Sequence, residues 1–182
     1  RSSDLALQAV CTVESSGQGF LPSGKPKILF EGHIFWRELA KRRYQPEILA
    51  ASFPTILYRQ WTAMHYLGGE KEHARLETAM SLHREAALCS TSWGAFQIMG
   101  FNFALCGFRS VEDFVTAQSR GNHEQLEALC QLMVANNLHL YLQNKDWVSF
   151  ARRYNGPGYA QNHYDIKMAN AYQQCLRMQQ AS

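Results

Sequence analysis

Apolar residues three and four positions apart recur along nearly all of this 182-residue chain, and only residues 18–32 break the pattern. A repeat near 3.6 puts one apolar stripe on each helix, so helix-on-helix packing is the expected core. The first such segment, about Asp4 to Ser15, carries Ala6, Ala9, Val10 and Val13 on one face, with Ser3 placed to cap it and Gly17 to end it. Glu14 lies one turn beyond Val10 and two beyond Leu7, at the border of the apolar face and not opposite it. The same reading predicts helices over 33–43, 54–67, 71–88, 124–136, 147–154 and 164–178, and another opening at Ser110, with Asp113 completing a capping box.

The exception reads differently. Gly19-Phe20-Leu21, Pro22-Ser23-Gly24-Lys25-Pro26 and Lys27-Ile28-Leu29-Phe30 form a strand, turn and strand pattern, the one hairpin expected. Along its second strand Lys27, Leu29 and Glu31 share one face, and Ile28 and Phe30 the other. No repeat, linker or low-complexity tract interrupts the chain, so 1–182 is expected to form a single domain, mainly α with one small β-hairpin lobe.

Composition narrows the function classes. Hydrophobic residues make up 46% and charged residues 18%, which excludes a disordered chain and a coiled coil. The net charge of +3 is mild and suits contact with an anionic polymer without demanding one. The five cysteines are scattered and form no CxxC pair, so they read mostly as small buried hydrophobes of a chain folded in a reducing compartment. The seven histidines have no metal-ligand spacing, and no phosphate loop, Ser/His/Asp arrangement or nucleic-acid motif appears; no metal or cofactor is expected. His139, in an apolar helical stretch, reads as a satisfied interior histidine, and Lys41-Arg42-Arg43 as a solvated helix end. No run approaches the roughly 18 apolar residues of a membrane span, and no apolar secretory core follows Arg1-Ser2-Ser3-Asp4.

Three segments carry chemistry together: Glu14-Ser15-Ser16-Gly17, then Ser92-Trp93-Gly94-Ala95-Phe96-Gln97-Ile98-Met99-Gly100, then Arg153-Tyr154-Asn155-Gly156-Pro157-Gly158. In this order they resemble the signatures of the lysozyme-like superfamily, lytic transglycosylases and goose-type lysozymes above all. With Ile28-Leu29-Phe30-Glu31-Gly32-His33 added, the chain is most similar to the N-acetylmuramidase domain of modular phage endolysins, over essentially its whole length. The resemblance implies an α+β lysozyme-like fold with a substrate cleft between its helical body and its β lobe. It also implies cleavage of the β-1,4 bond between N-acetylmuramic acid and N-acetylglucosamine in peptidoglycan glycan strands.

Such cleavage needs a carboxyl group protonated near neutral pH, and burial provides that by disfavouring the carboxylate. Glu14, at a core-bordering helix end, is the expected acid; its bland alternative is a surface or capping carboxylate. Glu31 is the candidate second catalytic group, or else a salt-bridge or helix-start carboxylate. Gln97, Tyr154, Asn155 and Trp93 are candidate substrate contacts. Each has an alternative: Gln97 bonds neighbouring backbone, Trp93 is core, and Asn155 serves the turn before Gly156. Lytic transglycosylation to a 1,6-anhydro product shares the same segments, a chitinase-like specificity is a lesser option, and a non-catalytic wall-binding module is the alternative of another class. A monomer is expected, one domain cut from a longer modular protein; the resemblance further implies synthesis in the host cytoplasm and action on the periplasmic wall without membrane insertion.

Overall fold

The computed structural model describes residues 2–15 and 18–180. Ser16 and the expected helix stop at Gly17 lie outside the described residues. Residues before 18, together with those from Cys130 onward, pack as one compact unit, and Gln18–Leu129 as another.

In the first unit, α1 (Ser2–Glu14) begins ahead of its expected cap, so Ser3 falls inside the helix. Ala6, Ala9 and Val10 are fully buried and Leu5 nearly so, whereas Val13 is half-buried at the edge of the stripe. This face meets α7 (Leu138–Asn144) and α9 (Tyr164–Gln180). Between them in sequence, α8 (Trp147–Asn155) is capped by Asp146, which accepts from Ser149 N at 3.0 Å, and ends at Gly156 with φ 78°. It buries Phe150 and Ala151 against α7 and α9. Reading the sequence for long amphipathic segments passes over α7, a seven-residue helix entered and left through left-handed Asn137 and Lys145. His139 on α7 is half-buried, but its Nδ1 is buried without a partner, so it is not the satisfied histidine expected.

In the second unit the mainly helical class with a small antiparallel sheet is as expected, but the strand partners differ. Phe20 and Pro26 make only an isolated bridge, with Leu21–Gly24 closing the turn. The strand β1 (Ile28–Phe30) instead pairs across the chain with β2 (Thr91–Trp93), and β2 with β3 (Ile98–Met99). The register sets Ile28 opposite Trp93, Leu29 opposite Ser92, and Phe30 opposite Thr91. The β2–β3 hairpin therefore spans Thr91–Met99 and takes up most of the Ser92–Gly100 segment, where the helical reading of everything beyond residue 32 has no strand. Strands of two and three residues are too short to show a period of two.

The helices α2 (Gly32–Lys41), α4 (Glu70–Cys89), α5 (Val111–Gln118) and α6 (Asn122–Ala135) fall close to their expected spans. Ser110 caps α5 by accepting from Asp113 N at 3.1 Å. The basic run after α2 is not simply solvated: Arg42 pairs with Glu38 and Glu85, and Lys41 with Glu38.

The helix expected over 54–67 does not form; a short α3 (Pro46–Ala50) precedes an irregular loop from 51 to 69. Only the adjacent Ile56 and Leu57 are buried there, and two neighbours cannot make a helical stripe. The Thr55 carbonyl, which a helix would give to residue 59, accepts from Arg75 Nη2 at 3.1 Å. Leu67 N and Gly68 N donate to Glu72 Oε1 at 2.7 and 3.1 Å. Glu72 is fully buried, and its Oε2 accepts from Arg75 Nη1 at 2.8 Å and Phe30 N at 3.1 Å. One ion pair thus fastens the loop to α4 and β1.

Breaking a buried pair from one side leaves an uncompensated charge, which costs about 3–5 kcal/mol. Arg75→Met is expected to lower the unfolding free energy by about that amount in urea titration. Lys41→Ala, at an exposed pair, is expected to change it by less than about 1 kcal/mol.

Candidate active site

Glu14 is half-buried at the last residue of α1. Four residues earlier Val10 is fully buried, so one further turn brings the carboxyl to the rim of the core. Asn155 reaches the same rim from α8, one turn past the buried Ala151. Its Nδ2 donates to both carboxyl oxygens, at 3.0 Å to Oε1 and 3.2 Å to Oε2. Asn155 Oδ1 is buried without a partner, so the amide serves Glu14 and not the turn before Gly156. Tyr154 stacks on Phe150, with ring centroids 5.6 Å apart at 20°.

Burial pushes the Glu14 carboxyl above its ordinary range; the Asn155 hydrogen bond and the field of Lys167 pull the other way without overcoming it. Lys167 lies on α9 four residues before the buried Ala171, its ammonium 5.5 Å from the Tyr164 ring. Its part was not read from the sequence, because nothing local distinguishes one exposed lysine of a terminal helix from another.

The remaining expected residues belong to the unit 18–129. Glu31 occupies the position before α2 without capping it by its side chain. Its Oε2 accepts from the Tyr66 hydroxyl at 2.6 Å, and His33 Nδ1 stands 3.2 Å away, outside hydrogen-bond geometry. Burial and the adjacent Glu31 push the Tyr66 phenol up, so it stays protonated and donates. Burial pulls the His33 imidazole down despite Glu31, which keeps it neutral around pH 7. Tyr66 had been assigned to the helix that does not form, and so was missed.

Gln97 is bound to its surroundings. Its Oε1 accepts from Ser92 Oγ at 2.8 Å, and its Nε2 donates to Gly94 O at 2.9 Å and Lys27 O at 3.4 Å. It adopts a left-handed backbone with φ 49°, uncommon for a residue with a Cβ. The turn is held from behind by the fully buried Gln125, whose Oε1 accepts from Ala95 N at 2.8 Å. Gly94 has φ 73°, and a Cβ there would lie 2.6 Å from Gln125 Cδ; the glycine makes room for that amide. Trp93 is corrected from substrate contact to core. Opposite Ile28 it faces inward at 3% exposure, its indole N–H donating to Leu88 O at 3.3 Å, which leaves no ring face for a sugar.

A carboxyl raised by burial and oriented by an amide is an acid able to protonate a poorly basic oxygen. Comparison with known proteins agrees in class. The sequence profile of N-acetylmuramidase matches residues 4–176. The chain belongs to the N-acetylmuramidase family. It is also similar to the crystal structure of a Burkholderia AP3 phage endolysin, with TM-score 0.89 and 41% sequence identity. That match covers 95% of this chain and 65% of the endolysin chain, so the present sequence spans less than two thirds of that protein. No curated protein matches. No described helix is long and apolar enough to cross a membrane. Of the cysteines, Cys89 and Cys106 are buried, whereas Cys11, Cys130 and Cys175 are only half-buried, fewer in the core than expected.

Asn155 lowers the Glu14 pKa, so Asn155→Ala is expected to raise it further, and Lys167→Met to raise it by less. A carboxyl-carbon NMR titration of Glu14 in the two variants checks both; a downward movement in either would contradict the assignment of these partners.

Proposed function

We propose that this chain hydrolyses the β-1,4 bond between N-acetylmuramic acid and N-acetylglucosamine of peptidoglycan, with Glu14 as general acid. One observation carries the reading: a half-buried carboxyl whose pKa is raised by burial, gripped on both oxygens by Asn155. A protonated Glu14 gives its proton to the bridging oxygen as the sugar gains oxocarbenium character, and the Asn155 amide then meets the carboxylate that remains. Glu31 is the proposed second carboxylate, kept in place by Tyr66 and acting on water or on the developing cation. Gln97, Tyr154 and Asn155 are the proposed glycan contacts; of the Gln97 amide, Oε1 keeps a lone pair beyond the one Ser92 uses. In this reading residues 1–182 act as one catalytic domain and as a monomer. It is made in the host cytoplasm and works on the periplasmic wall, needing no cofactor.

Glu14→Gln keeps the shape and the acceptor for Asn155 but has no proton to give. It is expected to lose at least about 100-fold in the rate of clearing purified cell walls. Near wild-type clearing would defeat the mechanism. Mass spectrometry of the wild-type products is expected to show reducing muramic ends; anhydro-muramic ends would instead assign lytic transglycosylation. Glu31→Gln is expected to show a comparable rate loss with an unchanged melting temperature, whereas a lowered melting temperature with retained turnover would make Glu31 structural.

The raised pKa also fixes the sign of two pH effects. A general acid works while protonated, so the rate falls as pH rises through the Glu14 pKa. A carboxyl with a folded pKa above its unfolded value stabilises the fold below the unfolded pKa, and that contribution is lost as pH rises through the folded one. Glu14→Gln cannot ionise, so its thermal stability relative to wild type is expected to improve from pH 3 to pH 8. A gap that stayed constant with pH would show that the carboxyl is not raised.

A further inference from the structure

The loop from 51 to 69 is irregular but not loosely held. At one end Arg75 Nη2 donates to Thr55 O at 3.1 Å, and at the other Glu72 accepts from Leu67 N and Gly68 N at 2.7 and 3.1 Å. In between, the Tyr58 hydroxyl accepts from Gly32 N at 3.3 Å, and Tyr58 packs on His65 with ring centroids 4.9 Å apart. Its backbone meets Gly32 so closely that a Cβ there would lie 2.5 Å from Ile56 O. Between these anchors Trp61 is 66% exposed. The turn carrying it is closed by Met64 N donating to Thr62 Oγ1 at 3.2 Å. Its side chain lies beside that of Tyr66, whose hydroxyl donates to Glu31 Oε2 at 2.6 Å.

A large indole left in water on an anchored loop is well suited to a ligand with a flat apolar face. A pyranose ring offers such a face in its axial C–H groups. We propose that Trp61 is a stacking platform for an N-acetylhexosamine ring of the glycan strand, set in register with Glu31 by the intervening Tyr66. The occupant is a sugar and not a protein because the platform adjoins, through Tyr66 alone, the carboxylate proposed to act on the glycan. Rigid aromatic anchors lose little conformational freedom on binding, so the pinned loop favours a platform that is ready before the glycan arrives. This inference rests on the muramidase reading above and adds a residue that grips the substrate beside Glu31.

The probe is soluble, peptide-free glycan strand of alternating N-acetylglucosamine and N-acetylmuramic acid, titrated calorimetrically into the Glu14→Gln protein so that it is not consumed. Adding Trp61→Ala is expected to weaken binding about five- to tenfold, the scale of one aromatic contact, and Trp61→Phe to recover most of that loss. An affinity within twofold of the parent for Trp61→Ala overturns the proposal. So does a loss that Trp61→Phe fails to restore, which would mean that the indole N–H acts by holding Tyr66. A second measurement needs no variant at position 61. Oxidation of exposed indoles by N-bromosuccinimide, read by peptide mass spectrometry, is expected to spare Trp61 when glycan saturates the protein, and equal oxidation with and without glycan overturns the proposal. Digestion of purified walls by the wild-type chain keeps the two readings apart. Failure to release muramic ends sinks the hydrolase reading, whereas digestion with an unprotected Trp61 sinks only this one.

Discussion

The contact between one amide and one carboxyl marks where the helices of the unit that contains Glu14 converge. Two helices supply it, and a third adds Lys167 nearby, by the same device: a polar residue one turn away from a fully or nearly buried one. Glu14 follows Val10, Asn155 follows Ala151, and Lys167 precedes Ala171. Because a helix returns to the same side every three to four residues, the periodicity that buries valine and alanine also delivers these three groups to the edge of the core. The placement of the polar groups is therefore a consequence of how α1 and α8 seat on α9, and no loop has to be ordered to hold them.

In the unit 18–129 the ordering element is a different kind of interaction. Glu72 and Arg75 are buried together, and such pairs often give back in desolvation what they gain in attraction. Here both side chains also serve backbone: Phe30, Thr55, Leu67 and Gly68 are each bonded by one of the two, while Arg75 Nε stays buried without a partner. The pair acts less as a source of stability than as a specification of where an irregular segment must lie. That segment delivers Tyr66 to Glu31, so the position of a proposed catalytic group depends on a carboxylate forty-one residues later in the chain.

Much of this was legible in the sequence where periodicity or local chemistry speaks. The long helices, the Ser110 cap and the rim position of Glu14 follow from apolar spacing and capping residues alone. The Glu14–Asn155 contact was only half legible, since both residues were marked but the bond joins positions 141 apart in sequence. What failed was long-range. The loop 51–69 has enough apolar residues to imitate a helix, and only the buried Glu72 and Arg75 reveal why its carbonyls and amides go elsewhere. The β2–β3 hairpin is too short to show alternation, and Gly94, Gln97 and Gln125 fix it through contacts that no local pattern encodes. Trp93 was open to two readings until the register placed it opposite Ile28 on the inner face.

The opposition of forces on Glu14 has a chemical sense in the proposed reaction. Burial alone would make the group a very weak acid, ready to stay protonated but reluctant to release its proton. An amide bonded to both oxygens favours the carboxylate, and so does the more distant Lys167. Rate in general acid catalysis depends on being protonated at the working pH and on giving the proton up in the transition state, and those demands conflict. A raised pKa moderated by a fixed donor meets both. The same donor, already aimed at the oxygens, needs no reorganisation when negative charge appears there. In the proposed reaction the asparagine is thus a working part of the acid and not merely its support, and the raised but restrained pKa of Glu14 is the form this compromise takes.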